Sequence, residues 1–157
     1  MTVADRSRLP VILAALLMML GALSACATHD AIRDGGDQKM PVPAETAAKF
    51  GEVTLPQGVQ VLGTDTDSGR DTRYRLALRM TDAQLREFLT QFPETPEKSE
   101  IPKSTPVIAG PALSSAPDPL YAQDQIVTTD HGTVTREIIV DQRAPDEVYV
   151  HLSLYTT

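Results

Sequence analysis

Two stretches of alternating polar and apolar residues, at 58–65 and 71–80, predict a β-hairpin around the turn-forming sequence TDSGR. Side chains along a strand point to opposite faces in turn. In the second stretch the apolar face consists of Tyr74, Leu76, Leu78 and Met80. The opposite face consists of Arg73, Arg75, Ala77 and Arg79. We therefore expect this strand to bury one face and to present arginines on the other.

A helix is predicted directly after the hairpin. Thr81 and Gln84 have the spacing of a capping box, and Pro93 ends the segment. Between them the apolar residues follow the spacing i, i+3, i+4, i+7, at Leu85, Phe88, Leu89 and Phe92.

Three further strands are predicted near the carboxyl end, from the sequences DQIVTT, TVTREIIVDQ and DEVYVHLSLYTT. Arg136 interrupts the apolar face of the second. The third alternates cleanly, with Val148, Val150, Leu152 and Leu154 opposite Tyr149, His151, Ser153 and Tyr155. Such alternation is typical of a sheet buried on one side. The sequence thus predicts an α+β fold in which a single antiparallel sheet, in the order ββαβββ, carries one helix on its apolar face.

The proline-rich segment, residues 93–119, interrupts this pattern. It contains seven prolines, a density that is incompatible with an interior helix or a central strand. A loop of this length inside a small domain is either functional or disordered, and the sequence leaves both interpretations open.

The amino-terminal residues have the character of a secretory signal. A short charged piece precedes an apolar run from Leu9 to Leu23, which is shorter than the roughly 20 residues of a transmembrane helix. Residues 26–52 are polar and contain a Gly-Gly pair and a Pro-Val-Pro sequence, which favour a flexible tether. We expect a signal peptide at 1–25, a tether at 26–52 and a small α+β domain at 53–157.

The sequence Leu23-Ser24-Ala25-Cys26 resembles a bacterial lipobox at all four positions. The resemblance implies cleavage before Cys26 and a diacylglyceryl group on its sulfur, which would anchor the protein to the extracytoplasmic face of a membrane. Cys26 is the only cysteine in the chain, so it has no disulfide partner within the chain. An ordinary cleaved signal peptide and a chance cysteine in a helix are the alternatives. The resemblance leaves the type of envelope open.

Charge argues against a nucleic-acid partner. The chain has a net charge of −7, and without residues 1–25 it is about −8. An acidic surface repels phosphate groups, and no basic cluster is interleaved with aromatic residues.

No catalytic motif or metal-ligand spacing is apparent. The three histidines, His29, His131 and His151, are far apart and fall in different predicted elements. Asp65, Asp67 and Asp71 lack the glutamate of a calcium-binding loop and are interpreted as turn residues. We expect no cofactor, no metal and no enzymatic activity.

The most promising surface is the polar face of the sheet. If the first and last hairpins join, Arg73, Arg75 and Arg79 would lie beside Tyr149 and His151 and could bind an anion or a partner protein. The alternative is a solvated face without a ligand.

The stretches LPQGVQVLG and DTRYRLALRM also resemble small envelope lipoproteins of unknown role, a resemblance that implies no activity. We expect a membrane-anchored binding module; a small envelope enzyme and an accessory subunit of a transporter or secretion complex are the alternatives.

Overall fold

The computed structural model describes residues 42–103 and 105–156. In these residues two helices, one short 3₁₀ turn and five strands follow one another along the chain. They are α1 (Ala44–Phe50), β1 (Gln60–Ser68), β2 (Thr72–Met80), α2 (Asp82–Leu89), the 3₁₀ turn (Leu113–Ser115), β3 (Leu120–Thr128), β4 (Gly132–Ala144) and β5 (Glu147–Tyr155). All neighbouring strands are antiparallel, in the spatial order β1-β2-β5-β4-β3. The predicted α+β class with a single antiparallel sheet is confirmed.

Helix α1 corrects the expected domain boundary. It lies within the predicted tether at 26–52, yet its alanines and Phe50 are buried in the core. The Phe50 ring lies 4.8 Å from that of Tyr74 on β2. A seven-residue helix is marginal by itself, so burial against the sheet stabilises it and no strong sequence signal is needed. The expectations of one helix and of a domain beginning at residue 53 are therefore wrong.

The amino-terminal predictions are not addressed by this structure. The signal peptide at 1–25, the lipobox with Cys26 and the first part of the tether lie outside the described residues.

Helix α2 begins with the capping box that the sequence indicates. The Thr81 hydroxyl accepts a hydrogen bond from the Gln84 backbone N–H, and the Gln84 side chain accepts one from the Thr81 N–H at 2.9 Å. Leu85 and Phe88 are buried in the same core as the apolar sheet face. Besides residues from both helices, this core contains Leu76, Leu78, Val134, Ile138, Val140, Val148, Val150, Leu152 and Leu154.

The sheet is buried on both sides, contrary to the expectation of a single buried face. Strands β4 and β5 are buried over most of their length, including the alternate residues that the sequence assigned to solvent. Buried residues of both helices belong to the same core as the apolar face. The proline-rich segment contacts the polar face, where Thr105 reaches Glu137 and Gly110 lies against Tyr149 and His151.

Candidate functional site on the polar face

The register of the sheet brings the predicted site residues onto one face. Arg75 lies opposite Ser153 and Arg79 opposite Tyr149, while His151 lies opposite Ala77 between them. The condition that the first and last hairpins join in one sheet is met. The remaining question is how much of this face a partner can reach.

Arg75 is not available to a partner. Its side chain is buried and donates hydrogen bonds to Asp65 at 3.2 Å and to Asp67 at 2.8 Å, both on β1. Burial acts to lower the pKa of Arg75, but the hydrogen bonds and charges of Asp67 and Asp65 outweigh it, and the pKa is raised. The two aspartates that the sequence assigned to turn chemistry therefore neutralise this arginine.

Arg73 and Arg79 keep part of their exposure. Both residues are half-buried, and the Arg73 guanidinium lies 4.2 Å from the centre of the Tyr155 ring. This stacking is a cation–π contact, so the Arg73 side chain is packed against its neighbour Tyr155. Of the three arginines, these two are half-buried, whereas Arg75 is buried.

Tyr149 is also buried, and its hydroxyl is occupied. It donates a hydrogen bond to Glu147 at 2.8 Å, and this bond raises the pKa of Tyr149. The Arg143 guanidinium lies 5.8 Å from the centre of the Tyr149 ring. The ring is thus a packing element beneath the proline-rich segment.

His151 is the most enclosed of the five predicted site residues, with 2% of its surface exposed. Within the described part of the chain neither ring nitrogen makes a hydrogen bond. Burial lowers the pKa of His151, and the negative charge of Asp141 partly opposes this effect. The imidazole is therefore held neutral near pH 7. The expectation that this face is open is wrong for Arg75, Tyr149 and His151.

The proline-rich segment is fixed to this face by polar contacts at separate points. The Thr105 hydroxyl donates to Glu137 at 2.8 Å. Arg143 bridges the two layers, donating to Asp141 on its own strand at 2.8 Å and to Ser115 of the segment at 3.0 Å. These bonds make the segment a cover over the polar face, a structural role that the sequence analysis did not consider.

Glu137 is the polar residue that sequence reasoning missed. Its buried carboxylate accepts from Thr105 and also from the hydroxyls of Tyr121 at 3.3 Å and Tyr155 at 3.4 Å. Burial and the nearby Glu137 charge raise the pKa of both tyrosines. Alternation along β4 places Glu137 on the polar face, but its partners come from three other parts of the chain and leave no local signal.

His151, Ser153 and Asp141 share this face but do not form a catalytic relay. All three are buried, and neither the Ser153 hydroxyl nor either nitrogen of His151 has a hydrogen-bond partner among the described residues. An activated serine needs a hydrogen bond to its base. Within residues 42–103 and 105–156, no group of three or more His, Cys, Asp or Glu residues is placed to hold a metal ion.

The free edge of β3 is the second candidate surface. Strand β3 is the last in the sheet, and at its start Tyr121 exchanges backbone hydrogen bonds with Glu97 of the proline-rich segment, at 3.0 and 2.8 Å. Beyond this bridge no backbone partner lies along the edge in the described part of the chain. Val127, near the end of β3, is 82% exposed and is the most exposed large apolar residue described.

Comparison with known proteins adds no family to these observations. No protein-family model matches the chain, and no match is found among curated proteins. None of the helices in the described ranges is long and apolar enough to cross a membrane.

Proposed function

We propose that this protein is an extracytoplasmic lipoprotein, anchored through Cys26, whose small domain is a non-catalytic binding module of the cell envelope. The observation that carries the anchoring is the sequence Leu23-Ser24-Ala25-Cys26 at the end of an apolar run. The small residues before Cys26 allow a processing enzyme to reach the backbone, and the thiol is the group that would take up the lipid. Two acyl chains anchor a protein stably, whereas one does so only marginally.

The binding role rests on what the domain exposes. The polar face that the sequence favoured is packed under the proline-rich segment, so Arg75, Tyr149 and His151 support the fold. Arg73 and Arg79 contribute at most the outer part of that face. The free edge of β3 offers backbone donors and acceptors next to an exposed valine, a combination that suits recognition of another chain by strand addition. We propose this edge as the binding surface.

An accessory role beside a transporter or secretion complex is compatible with the same surface, because such a role also requires binding to another chain. The enzyme alternative has less support. Its best candidate residues, His151, Ser153 and Asp141, are buried and lack the hydrogen bonds of a catalytic relay.

Intact-mass measurement of the processed protein tests the anchoring. We expect a chain that begins at Cys26 with a mass excess equal to a diacylglyceryl group, recovered in the membrane fraction. The Cys26→Ala variant, which lacks the acceptor sulfur, should lose both the mass excess and the membrane association. An unmodified chain beginning at Ala27 or nearby would contradict the proposal.

A further inference from the structure

We propose that the free edge of β3 pairs with β3 of a second copy of this chain, antiparallel and centred on Gln125. This inference deepens the proposed binding role and depends on the β3 edge being the binding surface. It does not depend on the lipid.

The length of the free edge follows from its hydrogen bonds. In an antiparallel pair the backbone groups of alternate residues point toward and away from the neighbouring strand. Tyr121 points away from β4, because its N–H and C=O bond to Glu97, and the β3–β4 register has no bulge. Gln123, Gln125 and Val127 therefore also point outward, and their backbone groups have no partner in the described residues. The bridge to Glu97 blocks one end, so the open stretch is 123–127.

This stretch is compatible with itself across a two-fold axis. With Gln125 opposite Gln125 of the second copy, Gln123 faces Val127, and no pair brings like charges together. The acidic residue in the stretch, Asp124, is held by Arg136 through bonds of 2.6 and 2.7 Å, and its side chain is 6% exposed. Strand β3 has no proline or lysine, the residues with which proteins commonly protect an exposed edge.

The opposite edge of the sheet is protected. Strand β1 has a register irregularity between Val61 and Gly63 and is contacted by the Val42 carbonyl through Thr64. An irregular register and a covering segment are features that keep an edge strand from pairing with another chain. This difference between the two edges favours pairing of two copies through β3.

The contact would be small. A strand pair of five residues buries less than the roughly 1,200 Å² of a stable interface, so we expect a weak dimer in solution. Two copies held on one membrane would meet at a higher effective concentration, and a weak pairing suffices there.

Cysteine cross-linking tests the pairing directly. In full-length protein carrying Cys26→Ser, the Gln125→Cys variant should form a dimer with a short bis-maleimide, because directly opposed Cβ atoms in a sheet are about 4.5–5.5 Å apart. The matched control is Gln60→Cys, another exposed glutamine on the edge strand β1. We expect the yield at position 125 to exceed that at position 60 at least tenfold.

A charge exchange separates specific pairing from random collision. Adding Gln123→Lys and Val127→Lys to the Gln125→Cys chain puts lysines opposite each other and should reduce the cross-linked fraction several-fold. Replacing this pair of changes by Gln123→Glu and Val127→Lys should restore it. Thermal unfolding of each variant checks that the fold is retained.

Equal cross-linking at positions 60 and 125, or no recovery with the opposite charges, would overturn the second-copy assignment. Because these chains carry serine at position 26, such a failure leaves the lipid anchor untouched, and the mass measurement tests that separately. A variant that does not fold is replaced by two single changes in separate Gln125→Cys chains, Gln123→Lys in one and Val127→Glu in the other, mixed one to one. Position 123 of one copy then faces position 127 of the other, so the mixture should cross-link more than either variant by itself, and no excess in the mixture would contradict the pairing.

Discussion

At the scale of single residues, Arg136 shows how a charge is accommodated in an apolar core. It interrupts the apolar pattern of β4, and in the structure its side chain is almost fully buried. It binds the Asp124 carboxylate through two hydrogen bonds and lies 4.6 Å from the centre of the Phe92 ring. It also donates to the Gly51 carbonyl at the end of α1. One side chain thus joins β3, the end of α1 and Phe92, three residues beyond the end of α2.

Removing one member of this pair should be costly. Arg136→Met leaves the Asp124 carboxylate buried without its cation, and we expect a loss of about 3–5 kcal/mol in the free energy of unfolding. Adding Asp124→Leu removes the unpaired carboxylate and should recover most of the lost free energy of unfolding. Denaturant unfolding of the wild type, both single variants and the double variant measures the coupling. A double variant less stable than either single one would contradict this account.

At the scale of elements, the proline-rich segment takes the place of a second layer. It has little regular structure, yet it covers the polar face through Thr105, Ser115 and the close approach at Gly110. Gly110 has a φ of +91°, a conformation that suits glycine and strains other residues. A Cβ there would lie 3.4 Å from side-chain atoms of Leu62 and Tyr149, so the space is only just sufficient.

Gly110→Ala should therefore loosen the cover without changing the sheet. We expect a backbone cost of about 1–2 kcal/mol, which would raise the population of opened segment roughly 5- to 30-fold. Trypsin cleavage after the exposed Lys98 and Lys103 should be faster by a similar factor when followed by mass spectrometry. Gly69→Ala is the control, because a Cβ at that hairpin turn meets nothing within 4 Å. Equal cleavage rates in both variants would contradict the role of Gly110.

At the scale of the whole molecule, His151 should make stability depend on pH. Burial lowers its pKa below the ordinary value of 6.5, so the unfolded chain binds a proton that the folded chain does not. The stability is therefore complete above about pH 6.5 and decreases as the pH falls through that value toward the folded-state pKa. The nearby Asp141 charge opposes this effect only in part.

Between pH 7.5 and 5.5 we expect the free energy of unfolding to fall, with a slope of at most about 1.4 kcal/mol per pH unit because one proton is involved. This interval lies above the ordinary pKa of carboxylates, about 4. Thermal or denaturant unfolding at both values measures the effect. The His151→Phe variant should lose most of the dependence, whereas His131→Gln, at an exposed turn, should retain it. If both variants showed the same change of stability with pH, His151 would not be the cause of that change.

The sequence by itself determined the features that arise from neighbouring residues. Alternation assigned Arg75 and Leu76 to opposite faces of β2, and the Thr81–Gln84 spacing located the start of α2. It also determined the single antiparallel sheet, because the pattern of period two recurs in each strand segment. The lipobox at Cys26 remains a prediction from sequence.

Only the tertiary structure decided what covers each surface. Alternation predicted an open polar face on β5, but the same pattern also fits a polar face covered by the proline-rich segment. Buried polar residues are tolerated when they form hydrogen bonds, as Glu137 does with Thr105 and Tyr121. Those partners lie up to 32 residues away, so no local pattern indicates them. Helix α1 is stable for the same reason, through contacts with the sheet. Local chemistry fixes which way a side chain points, and packing between distant segments decides whether it meets water or protein.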